Sequence, residues 1–322
     1  MRSRRSLGRP MLRASLGVAA FALASVRPVA AQQTHVLIVT GLAGEPQYKA
    51  SFQEAAATLA AAARGKWGVA DSSLIVLADD PSVDPTHIRG RSTRDEVMRS
   101  FTALSRRVAP GDILLVFLNG HGAGEGPGSR VNLPGPDPTA ANYAVWLAGF
   151  TRQIVVFVNA ASGSGDFVPV LAGRGRLIVT ATKTAFERNE ATFARPFVRA
   201  LTGTEADSDK DARVSVLEAF DYARKEVARA YETDNRMLTE HAVLSDSALA
   251  RTVAFGGARA STDSRVVALV AERQELESQV NSLRARRATT DSTAYSTELE
   301  RLLLLMAEKT QAIRAASGGG KP

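Results

Sequence analysis

Two Gly-rich segments hold the residues best suited to chemistry: Asn119-Gly120-His121-Gly122-Ala123-Gly124 and Asn159-Ala160-Ala161-Ser162-Gly163-Ser164-Gly165. An imidazole exchanges a proton near neutral pH, and a hydroxyl becomes a nucleophile once a base takes its proton. His121 and Ser162 are therefore the candidate base and nucleophile. Glu125, Asp166 and Asn159 lie close in sequence and are the candidates to orient the imidazole. The other histidines, His35, His87 and His241, have no partner at metal-ligand spacing and read as structural.

A second constellation is acidic. Asp207-Ser208-Asp209-Lys210-Asp211-Ala212-Arg213-Val214-Ser215-Val216-Leu217-Glu218 follows the twelve-residue EF-hand loop. Asp207, Asp209 and Asp211 stand at positions 1, 3 and 5. The Arg213 carbonyl takes position 7, Ser215 position 9 and Glu218 the bidentate position 12. Ala212 departs from the pattern, because position 6 normally needs the freedom of glycine. The loop is expected to hold a structural Ca2+ ion; otherwise it is an acidic turn capping the next helix.

The elements around these segments alternate. Strands are expected at His35–Thr40, Ser73–Leu77, Asp112–Leu118, Gln153–Val158 and Arg176–Ala181. Helices are expected at Tyr48–Ala63, Thr93–Val108, Phe193–Leu201 and Val214–Tyr231, with Thr93 and Glu96 as a capping box. The strands are continuous, apolar and rich in β-branched residues. Such strands joined by helices form a parallel sheet covered on both faces. Both Gly-rich segments follow strands, at the carboxyl ends where open parallel sheets place function.

Residues 35–255 are thus one three-layer α/β/α domain with a mainly parallel sheet, ending at Gly256-Gly257-Ala258. Beyond it Val266, Leu269, Leu276, Val280 and Leu283 fall on heptad positions, with Arg273 at an a position. After a break at residues 288–292, Leu299, Leu302, Leu303, Met306 and Ile313 continue the pattern. Residues 262–316 are expected to form an α-helical hairpin with arms of roughly 35–40 Å at 1.5 Å per residue. The tail 317–322 is expected to be disordered.

A strand–Gly-His-Gly element followed 41 residues after the histidine by a strand–small–small–nucleophile–Gly element resembles the caspase/legumain group of cysteine peptidases. Ala161-Ser162-Gly163-Ser164-Gly165, with Phe167 beyond it, is similar to the legumain-like Ala-Cys-x-Ser-Gly pattern; a register two residues earlier would put Ala160 at the cysteine position. Residues 132–137 and 239–244 also look like segments of bacterial legumain-like proteins. The resemblance spans roughly residues 35–250. It implies the caspase/legumain fold, His121 as general base, Ser162 at the nucleophile position, and backbone N–H groups such as that of Gly122 in an oxyanion hole.

The departure bears on activity. The chain has no cysteine, which excludes disulfides, thiolate metal sites and a thiol nucleophile. A serine hydroxyl is far harder to deprotonate than a thiol and needs an oriented imidazole and a complete oxyanion hole. The expected function is therefore that of an inactive or weakly active pseudo-peptidase that binds a peptide or protein ligand. The alternatives are a Ser-His hydrolase using His121 and Ser162, and an assembly protein acting through oligomerisation of the hairpin.

Residues 1–31 have a basic head, an apolar run Leu16–Ala24 and a small-residue site Val29-Ala30-Ala31, the layout of a secretory signal peptide. They hold six of the 40 basic residues and none of the 33 acidic ones, leaving 34 against 33 after cleavage. That near-neutral balance argues against a nucleic-acid partner. With the leader removed no membrane association is expected, and the location is periplasmic or secreted.

Overall fold

The computed structural model describes residues 32–211, 213–256, 264–287 and 291–316. The expected leader 1–31, Ala212, the Gly257-Ala258 end of the expected boundary, the hairpin break at 288–290 and the tail 317–322 lie outside the described residues.

The chain alternates strand and helix as its apolar runs dictate. β1 (Thr34–Thr40) leads into α1 (Pro46–Gly65), then β2 (Leu74–Ala78), the short edge strand β3 (Gly90–Arg91) and α2 (Arg94–Ser105). β4 (Ile113–Asn119) is followed by a two-stranded ribbon, β5 (Gly122–Ala123) and β6 (Arg130–Val131), and by α3 (Ala140–Leu147). β7 (Ile154–Asn159), α4 (Phe167–Leu171), β8 (Arg176–Thr180), α5 (Ala194–Thr202) and α6 (Val216–Thr233) come next. β9 (Val243–Leu244) and α7 (Ser247–Thr252) precede the two long helices α8 (Ser264–Ala285) and α9 (Ser292–Ala316).

The main sheet has the order β3-β2-β1-β4-β7-β8-β9. All its neighbours are parallel except β9, which runs antiparallel to β8. The continuous apolar character of the strands is explained by two separate cores. On one face Val36, Ile38, Leu115, Phe117 and Val156 pack with α1, α5 and α6. On the other, Leu37, Val39, Leu114, Val116 and Phe157 pack with α2, α3 and α4. A strand buried on both sides has no polar face to alternate. The expected three-layer α/β architecture with C-terminal helices is what the chain adopts.

Thr93 caps α2, its Oγ1 accepting from the Glu96 N–H at 3.3 Å. The expected capping box is half made, because the Glu96 carboxylate turns to Arg99. Complete boxes form instead at Thr139/Asn142 and Ser215/Glu218.

α8 and α9 run antiparallel, with Glu272 paired to Lys309 at one end. Val280, Leu283, Tyr295 and Leu302 form the seam, flanked by Leu276, Leu299 and Met306. Two seam expectations change. Leu303 is 44% exposed, and Tyr295 takes a place the heptad pattern missed. Arg273 is buried, and it turns from the hairpin to pair with Asp211 of the acidic loop. The guanidinium finds its counter-charge there, which an apolar seam could not supply. The side chain of Val266 lies outside the described residues.

Candidate functional site

β4 and β7 are adjacent and parallel, with Leu118 opposite Asn159. Their carboxyl ends therefore deliver the two Gly-rich segments to one rim of the sheet. Gly122 N–H points at the Ser162 hydroxyl oxygen at 3.3 Å. A Cβ on Gly122 would stand 2.2 Å from the Ser162 carbonyl oxygen, so only glycine lets the two segments approach this closely. Ser162 is 3% exposed. The N–H of Gly163 beside it donates to the Glu187 carbonyl at 2.8 Å.

His121 shares the rim without bonding to Ser162. Its Nε2–H donates to the Ala43 carbonyl at 3.0 Å, and its Nδ1 lies 3.1 Å from the Glu190 carboxylate. The rings of Tyr48 and Phe52 meet it edge-on, with centroids at 5.2 and 5.3 Å. Both ring nitrogens face oxygens that can only accept. Nε2 therefore carries a proton, while Nδ1 stands at ion-pair distance from Glu190 Oε2, an oxygen without a hydrogen-bond partner. The Glu190 carboxylate is the main cause that holds the His121 pKa above its ordinary value; burial pulls the other way without prevailing. The backbone of His121 is fixed in turn, its carbonyl accepting from Asn132 N–H at 2.9 Å.

None of the three polar sequence neighbours bonds to the imidazole. Asp166 accepts from Gly126 N–H at 2.7 Å, and Asn159 accepts from Ala161 N–H at 3.1 Å. Glu125 lies 3.7 Å from Arg188. Asn159 serves its own loop, Asp166 ties its loop to the β5–β6 ribbon, and Glu125 pairs across to the β8–α5 segment. Glu190 takes the role instead, from the segment joining β8 to α5. That segment also leaves a parallel strand at its carboxyl end, and it carries Glu187-Arg188-Asn189-Glu190. The position rule that selected the two Gly-rich segments applies equally to this third one.

The β8–α5 segment is tied down along its length. Glu187 accepts from the N–H of Lys183 and of His241, at 3.1 and 3.0 Å, and its other carboxylate oxygen meets His241 Nδ1 at 3.0 Å. Glu240 is 5% exposed and accepts from the N–H groups of Thr192 and Phe193 at 2.9 and 2.8 Å, where α5 begins. Residues 239–244 thus work as a clamp for the segment that holds Glu190.

In the acidic loop the carboxylates of Asp207, Asp209 and Asp211 lie within 4.8 Å of one another. Glu218 is used differently. One carboxylate oxygen accepts from Ser208 and Asp209 N–H at 2.9 and 3.3 Å. The other accepts from Ser215 N–H and Oγ, both at 2.9 Å, closing the capping box of α6. Ser215 and Glu218, the expected ninth and twelfth ligands, are thus the cap and third residue of that helix. The N–H of Arg213 donates to Asp211 at 2.7 Å. Arg273 brings positive charge to Asp211. Burial, then Asp211 and Glu218, push the Asp209 pKa up to about 6. The donor set is one of hard oxygens, as a calcium-type ion requires, with an arginine already against one of them. The turn residue of the motif, Ala212, lies outside the described residues.

Two other histidines stand against carboxylates. His35 lies 3.2 Å from Asp112 and His87 2.9 Å from Asp84. No helix among the described residues is long and apolar enough to cross a membrane.

No protein-family model matches the chain, and no curated protein matches it. Among solved structures it is similar to protein GSU0716 from Geobacter sulfurreducens, with a TM-score of 0.41 and 13% identity over 66% of this chain and 92% of that one.

Proposed function

We propose that this protein is an exported, non-catalytic relative of the caspase/legumain peptidases that acts by binding a peptide or protein. The observation that carries the reading is the double commitment of His121, to Ala43 on one nitrogen and Glu190 on the other. A general base must offer a lone pair within reach of the proton it takes. With Nε2–H committed to Ala43, the ring offers no lone pair to Ser162. The shared rim on adjacent parallel strands supports the family resemblance, and the leader pattern of residues 1–31 supports export. Fluorogenic peptides incubated with the protein are expected to bind without turnover. Turnover abolished by both His121→Ala and Ser162→Ala would overturn the reading.

A second reading, an active Ser-His hydrolase, is favoured by one feature. A carboxylate against Nδ1 is the arrangement that orients histidine in a catalytic triad. It would require Nε2 to leave Ala43 and face Ser162.

Two subsidiary proposals go with the first. The acidic loop is a structural calcium loop in which the ion would displace Arg273 from Asp211; calorimetric titration with calcium, with Asp207→Ala as control, tests it, and absence of binding heat ends it. The hairpin is a self-association arm, since Leu303 and Leu304 stand 44% and 60% exposed on α9. Sedimentation of the chain truncated at Gly256 tests that, and an unchanged assembly state removes it.

A further inference from the structure

On the α1 face of the sheet, behind His121, a groove of about 750 Å3 runs between α1 and the α5–α6 pair. Its walls mix polar and charged side chains with apolar and aromatic ones, Tyr48, Phe52, Val198 and Tyr222 among the latter. Asn119, the last residue of β4, is one of its lining residues. Asn119 is 1% exposed, and its side-chain Nδ2 has no hydrogen-bond partner. A buried donor left unmade costs more than an ordinary hydrogen bond contributes, so native proteins rarely leave one without a purpose.

The charges on the groove walls are all matched. Glu54 pairs with Arg195 at 3.5 Å, Arg199 with Glu205 at 3.6 Å, Glu226 with Arg229 at 2.9 Å, and Glu190 with His121 at 3.1 Å. No charge on the walls awaits a counter-ion. Two buried groups on the walls lack a hydrogen-bond partner, the Asn119 Nδ2 donor and the Glu190 Oε2 acceptor. An uncharged peptide backbone supplies both complements, a carbonyl for the amide and an N–H for the carboxylate, and its apolar side chains can meet Tyr48, Phe52 and Val198.

We infer that this groove binds an uncharged peptide segment whose backbone carbonyl accepts from Asn119 Nδ2. The inference rests on the peptide-binding reading above and moves the ligand from the Ser162 rim to the face of the sheet. Occupancy would also press on Glu190, which borders the same groove.

The test titrates acetyl-Ala-Phe-Val-amide into the full 15N-labelled chain and follows the side-chain amide resonance of Asn119, identified by its absence in Asn119→Leu. The resonance is expected to shift on saturation, with affinity falling about tenfold in Asn119→Leu, the loss of one hydrogen bond. Ala230→Trp changes an exposed wall residue and is expected to block the groove without disturbing the core. Peptide that binds equally well to both variants, with the Asn119 resonance unmoved, overturns the groove while leaving peptide binding elsewhere intact. Absence of binding to the unmodified chain overturns both.

Discussion

The Glu190 carboxylate lies 3.1 Å from Nδ1 of His121, while Nε2 of the same ring donates to Ala43. The pair raises the His121 pKa, Glu190 being the main cause. Glu190→Gln removes the negative charge and keeps the shape, so the pKa is expected to fall toward the ordinary histidine range. NMR titration of the ring protons checks this. The sign for stability follows from linkage. A raised folded-state pKa means the stabilisation is fully present below the unfolded value and is lost as pH rises through the folded one. In Glu190→Gln that pH dependence is expected to flatten.

Gly122→Ala tests the close approach of the two Gly-rich segments. The added methyl would meet the Ser162 carbonyl oxygen at 2.2 Å and the Arg130 carbonyl oxygen at 3.1 Å. Both are backbone atoms, so a loop must move. Overpacking of this kind costs about 1–3 kcal/mol. Urea denaturation is expected to give a lower midpoint, and the Gly122-to-Ser162 hydrogen bond is expected to be lost.

Arg273→Leu tests the attachment of the hairpin to the acidic loop. Removing one partner of a buried ion pair leaves the other uncompensated, at about 3 kcal/mol. The loss is expected to be larger above pH 6 than below it. Asp209, with its pKa pushed up to about 6, is penalised in its ionised form, so its own contribution to stability falls as pH rises through that value. Below it the cluster carries less negative charge for Arg273 to balance. Hydrogen exchange across α8 at pH 5 and pH 8 measures the difference.

The fold was legible because its strands announce themselves. Runs such as Ile113–Phe117 and Val155–Val158 are apolar without alternation, and a strand buried on both faces can be little else. The rim was legible for the same reason, since His121 and Ser162 directly follow such runs. Glu190 was not. Its contact with His121 spans 69 residues of sequence and depends on how the β8–α5 segment folds back over the rim. No periodicity encodes that path; Glu187, His241 and Glu240 fix it through side-chain bonds. The helical ends show the reverse error. Ser215 and Glu218 fit two patterns, a calcium loop and a capping box, and spacing alone could not rank them. The heptad pattern specifies spacing alone, so it placed Leu303 in the seam, where it is 44% exposed, and could not show that Arg273 turns to Asp211.

On the proposed reading the imidazole of His121 serves Glu190 and Ala43 and leaves the Ser162 hydroxyl unactivated. Reaction with a serine-directed fluorophosphonate, followed by intact-mass and peptide mapping from pH 6 to pH 9, tests it most directly. The account predicts no adduct on Ser162 at any of these pH values. An adduct on Ser162 that disappears in His121→Ala would contradict it.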